Sequence, residues 1–299
     1  MDNLADLWLT YQTAVAFIGV NALLALSVYA TLCCGQLSLA NAGFMAIGGY
    51  AGALLTLNTQ LPFALVLAAA AALPALVAVP LGLPVLRLRG VFLAIATIGW
   101  GEVVRLALVN WDYTNGALGL VAIPQRSGPG VIFLCLALAL FVFWRLRGGR
   151  VGYALEAIRE DEPAARTLGI DTTAHKLAMF VLGAALAGLA GCLEAHLTFM
   201  VAPSGYGFAR VIDMLVQAVV GGVAHFGGPV LGAAFLTLLP EGLREVSHLT
   251  GMEPGPLRLL ANGLVLLAVI LFLPNGLVSL PGRLRAWRDE RRAARALVD

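Results

Sequence analysis

Long apolar stretches alternate with short polar or Gly/Pro-rich breaks along almost the whole sequence. No Asp, Glu, Lys or Arg occurs between Asp6 and Arg87, and about 20 apolar residues are enough to cross a bilayer core of roughly 30 Å. The pattern therefore predicts an all-α polytopic membrane protein with about nine transmembrane helices. The predicted segments are 12–32, 36–57, 63–86, 91–109, 130–145, 177–198, 211–226, 230–246 and 257–280.

The composition excludes other broad classes of protein. Hydrophobic residues make up 60% of the chain and charged residues 12%, whereas a soluble domain carries roughly 25% charged residues. A soluble globular protein is therefore excluded, and so is a disordered chain, because disorder needs low hydrophobicity. We expect a single transmembrane domain over residues 1–299.

The basic residues predict how the chain is oriented. They are concentrated in the hydrophilic loop 147–176 and in the tail 281–299. Cytoplasmic loops carry the excess of Lys and Arg, so both segments are predicted to be cytoplasmic. With nine helices, the N-terminus is then expected outside and the C-terminus in the cytoplasm.

The second segment, 36–57, contains polar residues and several glycines. Polar or irregular backbone at membrane depth is tolerated only where protein or a water-filled cavity satisfies it. This predicts a broken helix that lines a substrate path, with path residues Gln36, Ser38, Asn41 and Phe44. Alternatively, the glycines only allow close helix packing, as small residues at four-residue spacing do.

The fourth segment carries two ionisable residues, Glu102 and Arg105, at a spacing that lets them pair on one helix. Ionisable groups in a bilayer are costly and often functional, so both are also predicted path residues. A purely structural, self-neutralising pair is the alternative. Arg210 is expected to pair with Asp213 at the membrane edge.

The loop 147–176 is predicted to couple the membrane domain to a soluble partner. Its residues 151–160 have a helical composition, Pro163 suits the first turn of a second short helix, and Gly169 suits its C-terminal end. Ala164, Ala165 and Leu168 are expected to form an apolar patch among charged residues. The alternative is a solvated loop that lies on the lipid headgroups. The predicted coupling residues are Glu156, Arg159, Glu160, Ala164, Ala165 and Gly169.

The sequence carries no motif for chemistry of its own. It has no G-x-x-x-x-G-K-[ST] nucleotide loop, no H-E-x-x-H or Cys/His metal spacing and no G-x-S-x-G motif. No catalytic or metal-binding residue is therefore predicted. If transport is active, its energy comes from a gradient or from another polypeptide.

Several segments resemble the permease subunits of branched-chain amino acid ABC transporters (the LivM type). They are GQLSLANAGFMAIGGYAGALL, FLAIATIGWGEVVRLAL with TNGALGL, GYALEAIREDEPAARTLGIDTTAHKLAMFVLGAALAGLAG, VVGGVAHFGGPVLGAAFLTLLPEGLRE and LPNGL. The resemblance extends from about Gly35 to Leu277. In PAARTLGI the family's Glu-Ala-Ala-x-x-x-Gly motif is present as Ala164, Ala165 and Gly169, with Pro163 in place of Glu.

The resemblance implies a permease that pairs with a second, homologous permease in the bacterial inner membrane. Two cytoplasmic ATPase subunits, which use ATP and Mg, and a periplasmic substrate-binding protein would complete the complex, and this chain would bind no cofactor. No nucleic acid is implied. The solute would be a branched-chain amino acid or another small polar molecule. A secondary transporter or channel is the competing hypothesis, with Glu102 and Arg105 as its candidate coupling residues.

Overall fold

The computed structural model describes residues 2–250, 263, 264, 267, 271 and 276–279. Almost all of the ninth predicted segment, 257–280, and the tail 281–299 lie outside the described residues. Within them the chain forms ten α-helices and one short antiparallel strand pair, Leu120–Val121 (β1) with Met200–Val201 (β2). The helices are α1 Asp2–Leu32, α2 Asn41–Asn58, α3 Phe63–Val85, α4 Val91–Val109, α5 Pro129–Arg147, α6 Arg150–Glu160, α7 Glu162–Thr167, α8 Thr172–Thr198, α9 Phe208–Gly221 and α10 Gly227–Thr250.

Eight of these helices overlap with eight of the predicted apolar segments, and α6 and α7 are the two short helices predicted in the hydrophilic loop. Five helices in the described part of the chain are long and apolar enough to cross a membrane. They are α1 over Gln12–Leu32, α3, α4, α5 and α8. The all-α polytopic class is therefore supported, while the count of nine spans and the side on which each terminus lies stay predictions.

The centre of the bundle is α8, which packs against α1, α2 and α3. Glycines let the backbones come close: a Cβ added to Gly48 of α2 would lie 2.2 Å from the Cα of Gly188, and one added to Gly191 would lie 2.1 Å from the carbonyl oxygen of Met45. A Cβ on Gly183 would lie 2.7 Å from the carbonyl oxygen of Ser27 in α1. Gly183, Gly188 and Gly191 of α8 thus make close helix contacts within this chain.

The segment between α9 and α10 is a tight turn. α9 ends at Gly221, and a Cβ there would lie 1.9 Å from the carbonyl oxygen of Gly228. Arg147 donates from Nη1 to the carbonyl oxygen of Ala224 at 3.0 Å, and Arg159 donates to that of Val223 at 3.3 Å. The turn and α6 therefore lie at the same end of the bundle. We call this end the basic end.

Candidate functional site

The polar residues predicted to line a path lie at the start of α2 and in the connection before it. Residues 36–39 are non-helical and α2 begins only at Asn41, so the predicted helix start at residue 36 is wrong. The irregular backbone precedes the helix, and α2 runs unbroken through its glycines. The prediction of a break within this helix is therefore wrong. Its glycines allow close packing instead: a Cβ on Gly52 would lie 2.3 Å from Sγ of Cys192.

The four predicted path residues on this segment are buried, none of them more than 4% exposed. Asn41 donates from Nδ2 to Oγ of Ser27 at 2.9 Å. Phe44 packs edge-on against Phe180 of α8, with ring centroids 5.5 Å apart. A path along these residues would be closed in this conformation.

Three buried polar groups in or beside this segment have no hydrogen-bond partner among the described residues: Nε2 of Gln36, the hydroxyl of Tyr50 and Nε1 of Trp100. The side-chain nitrogen Nε2 of Gln36 makes no hydrogen bond to any residue that the structure describes. Its Oε1 lies 3.7 Å from Sγ of Cys34. A buried amide nitrogen without a partner is costly, so Gln36 is the predicted path residue that is best suited to meet a polar solute or a water molecule.

Glu102 and Arg105 pair with each other, as their spacing predicted. Nε of Arg105 donates to Oε1 of Glu102 at 2.8 Å. Their side chains are 43% and 28% exposed, for Glu102 and Arg105 respectively, so the pair lies on the outer surface of α4. Among the described residues, no hydrogen bond or ion pair joins Glu102 or Arg105 to the four residues Gln36, Ser38, Asn41 and Phe44, which we call the Gln36 group.

The predicted coupling loop has the local structure that its sequence indicated. Asp161 caps α7 by accepting a hydrogen bond from the backbone nitrogen of Ala164 at 3.0 Å, and Pro163 lies in its first turn. Gly169 has a φ of +81°, a left-handed conformation that favours glycine after a helix end.

The apolar patch on α7 is smaller than predicted. Leu168 is 78% exposed and Ala164 is exposed, but Ala165 is buried because it faces the rest of the protein. Glu156 and Glu160 are exposed on α6. Arg159 is exposed too, yet its guanidinium bonds within the chain to the α9–α10 turn.

Sequence reasoning missed a network that ties α7 to α8. Nζ of Lys176 lies 2.6 Å from Oε2 of Glu162, and Nη2 of Arg166 donates to the other oxygen at 2.7 Å. Arg166 also donates from Nε to Oγ1 of Thr172 at 2.9 Å. Burial alone would raise the pKa of Glu162, but Lys176 and Arg166 together hold that pKa below its ordinary value. Only the four-residue spacing of Glu162 and Arg166 could have signalled it.

At the opposite end of α8, a second ion pair was also missed. Arg210 of α9 bonds to Glu194 of α8, so its predicted pairing with Asp213 is wrong. His196 is buried and satisfied, with Nε2 2.9 Å from Oγ1 of Thr56. In the described part of the chain, no group of three His, Cys, Asp or Glu side chains could hold a metal ion.

Comparison with known proteins identifies relatives that match most of the chain. The family model described as "Branched-chain amino acid transport system / permease component" matches residues 11–273. The chain is 35% identical to the LivM high-affinity branched-chain amino acid transport system permease protein of Salmonella typhimurium LT2, over 87% of this chain and 66% of that protein.

Two proteins of Escherichia coli K12 are also similar. The chain is 34% identical to its LivM permease protein, over 90% of this chain and 68% of that protein. It is 31% identical to its LivH permease protein, over 50% of this chain and 46% of that protein. The matched region thus spans about two thirds of the length of the LivM proteins, and no solved structure matches. The chain belongs to the family of branched-chain amino acid transport system permease components.

Proposed function

We propose that this chain is the membrane-spanning permease subunit of an ATP-driven importer and forms part of the path for a branched-chain amino acid or a related small polar solute. The observation that carries the proposal is the helix pair α6–α7, inserted between α5 and α8. Its exposed Leu168 and Ala164 lie among charged residues, and apolar surface rimmed by polar groups is typical of sites for protein partners.

The bonds of α7 give such contact a route into the bundle. Glu162 and Arg166 join α7 to the first turns of α8. α8 in turn packs tightly on α1, α2 and α3. A displacement of α7 by a partner would therefore move the central helix, and ATP binding and hydrolysis by that partner would switch the access of the path.

Membership of the family supports a proposal for the rest of the assembly. Two cytoplasmic ATPase subunits would bind ATP and Mg, and this chain would supply no cofactor site. A second homologous permease subunit would complete the path, and a periplasmic substrate-binding protein would deliver the solute. The complex would lie in the bacterial inner membrane, with loop 147–176 on the cytoplasmic side.

The coupling residues have different tasks in this proposal. Ala164 and Leu168 would contact the ATPase subunit, Ala165 would anchor α7 to the permease and Gly169 would turn the chain into α8. Glu156 and Glu160 would present charge to the partner. Arg159 would hold α6 on the α9–α10 turn.

Gln36, Ser38, Asn41 and Phe44 are proposed to line the path when it opens. Single cysteines at the three polar positions, in a chain without its native cysteines, should react with a small water-soluble thiol reagent faster when the partner ATPases bind ATP. A cysteine at Leu24, which is buried in α1, serves as the control. Equal inertness at all four positions under both conditions would contradict the path role.

A matched pair of variants tests the coupling. Leu168 and Leu118 are 78% and 77% exposed, and they lie in the coupling loop and in the α4–α5 connection respectively. Leu168→Asp should abolish co-purification with the ATPase subunits and ATP-driven uptake in proteoliposomes, whereas Leu118→Asp should leave ATPase co-purification unchanged. Full ATPase binding by Leu168→Asp would contradict the coupling role of α7.

A secondary transporter or channel would behave differently in the same proteoliposomes. Such a protein would take up solute without ATPase subunits, driven by an ion or solute gradient. The mutual pairing of Glu102 and Arg105 on the outer surface of α4 does not favour ion coupling through them. Uptake by the permease subunits alone would overturn the importer proposal.

A further inference from the structure

A cavity of about 370 Å³ opens at the basic end of the bundle, between the end of α3 and the α7–α8 junction. Leu83 and Leu86 line it from the end of α3, and Thr173 lines it from the first turn of α8. Its other lining residues are charged: Arg87, Arg89, Glu162, Arg166 and Lys176. The cavity is separate from the Gln36 group and from the exposed tip of α7.

The charges around the cavity do not balance. The single carboxylate, Glu162, is already engaged by Lys176 and Arg166. Arg87 and Arg89 are exposed, and neither guanidinium group has an ion-pair or hydrogen-bond partner within the residues that the structure describes. Four cationic side chains thus face one carboxylate among the residues that line the cavity. Guanidinium groups in this setting suit a phosphate, which accepts two parallel hydrogen bonds from each.

The apolar side of the cavity indicates which phosphate fits. Leu83 is half-exposed at its edge, and Val79 and Leu76 follow on the same face of α3 as exposed side chains. This stripe leads along the spanning helix from the charged cavity toward the middle of the membrane. A ligand that places a phosphate among the arginines and acyl chains on the stripe would satisfy both parts.

We infer that this cavity binds the headgroup of an anionic phospholipid from the leaflet at the basic end, with its phosphate held by Arg87 and Arg89. Basic pockets between transmembrane helices are suited to such headgroups. The lipid would bridge α3 to the α7–α8 junction and so stabilise the position of the coupling helix. The inference depends on the membrane placement of α3 and not on the importer role, so each can fail without the other.

The test uses the full chain in detergent, incubated with equal amounts of phosphatidylglycerol and phosphatidylcholine that carry the same acyl chains. Lipids that remain bound after size-exclusion chromatography are quantified by mass spectrometry. The wild type should retain phosphatidylglycerol in preference, and R87Q/R89Q should lower that preference by about tenfold, because each surface cation contributes to binding of an anionic lipid. The control R145Q/R150Q removes the same charge from exposed arginines outside the cavity and should retain the preference.

A second variant keeps the test decisive if the double substitution impairs folding. Thr173→Trp fills the cavity without changing the charge and should also lower phosphatidylglycerol retention. Equal losses in R87Q/R89Q and R145Q/R150Q would overturn the inference in favour of general surface attraction. Displacement of the lipid by excess inorganic phosphate would assign the cavity to a free anion. If R87Q/R89Q kept the lipid but no longer co-purified with the ATPase subunits, the cavity would be assigned to an acidic protein partner instead.

Discussion

α8 and α5 are both long apolar helices, yet the structure places them very differently. In the apolar stretch of α8, 61% of the residues are buried, whereas the buried share in the apolar stretch of α5 is 22%. The buried helix is rich in small residues such as Gly183, Ala187 and Gly191, while α5 exposes large ones such as Leu134 and Trp144. Lipid is as apolar as leucine, so hydrophobicity does not separate the inside of a membrane protein from its outside. Side-chain size does, because small residues let helices approach.

The strongest test of this contrast replaces a glycine with alanine, once where helices pack closely and once on the periphery. Gly48→Ala would place its Cβ 2.2 Å from the Cα of Gly188, and neither backbone can move without separating α2 from α8. We expect a loss of more than about 3 kcal/mol, which prevents folding to a monodisperse protein. Size-exclusion chromatography and thermal unfolding in detergent measure it.

Gly99→Ala is the matched control on the peripheral helix α4. A Cβ at Gly99 meets nothing within 4 Å. Alanine is the better helix former, so this variant should be as stable as the wild type or more stable, by up to about 1 kcal/mol in the free energy of unfolding. Its unfolding temperature should therefore be equal to that of the wild type or slightly higher. Equal losses at both positions would show that α2 and α8 do not meet at their glycines.

The next largest effect concerns the bond between α7 and α8. Glu162→Gln removes the charge that pairs with Lys176 and leaves the buried ammonium group without its anion. We expect a loss of about 2 kcal/mol in stability. Because the pKa of Glu162 is lowered in the folded protein, the pair's contribution is complete above the ordinary Glu pKa of about 4.3 and is lost as the pH falls through the lowered value. The unfolding temperatures of the wild type and of Glu162→Gln should therefore converge as the pH is lowered from neutral to acidic. A difference that stays constant with pH would contradict the role of this charge.

The sequence was most informative where local chemistry decides the structure. The segment predicted at 91–109 coincides with α4, and the two short helices of the coupling loop were predicted from their composition, Pro163 and Gly169. Caps, prolines and glycines act over a few residues, so their signals survive in any context.

Contacts between distant segments could not be predicted in the same way. The prediction pairs Arg210 with Asp213, its neighbour three residues away, but Arg210 pairs with Glu194 on another helix, 16 residues away in the chain. The burial of Ala165 depends on how α7 packs against α6 and α8. For the Gln36 group, polarity at membrane depth predicted residues that line a path, whereas the structure buries all of them. The burial depends on contacts with distant segments, such as the bond from Asn41 to Ser27 of α1.

The smallest expected effect concerns the ion pair on the periphery, Glu102 with Arg105. It joins two side chains of one helix on an outer surface, so removing one partner leaves a partly exposed charge that water or lipid headgroups can reach. We expect Glu102→Gln and Arg105→Gln each to cost about 1 kcal/mol, below the cost of roughly 2.5–3.5 kcal/mol for a charge at the bilayer centre. The double variant should recover most of this loss, because no unpaired charge remains. Folded yield and thermal unfolding in detergent test the pairing, and a double variant no more stable than either single one would contradict it. Uptake separates the two roles of the pair: full transport by the recovered double variant makes it structural, whereas a folded but inactive double variant would place it on the path.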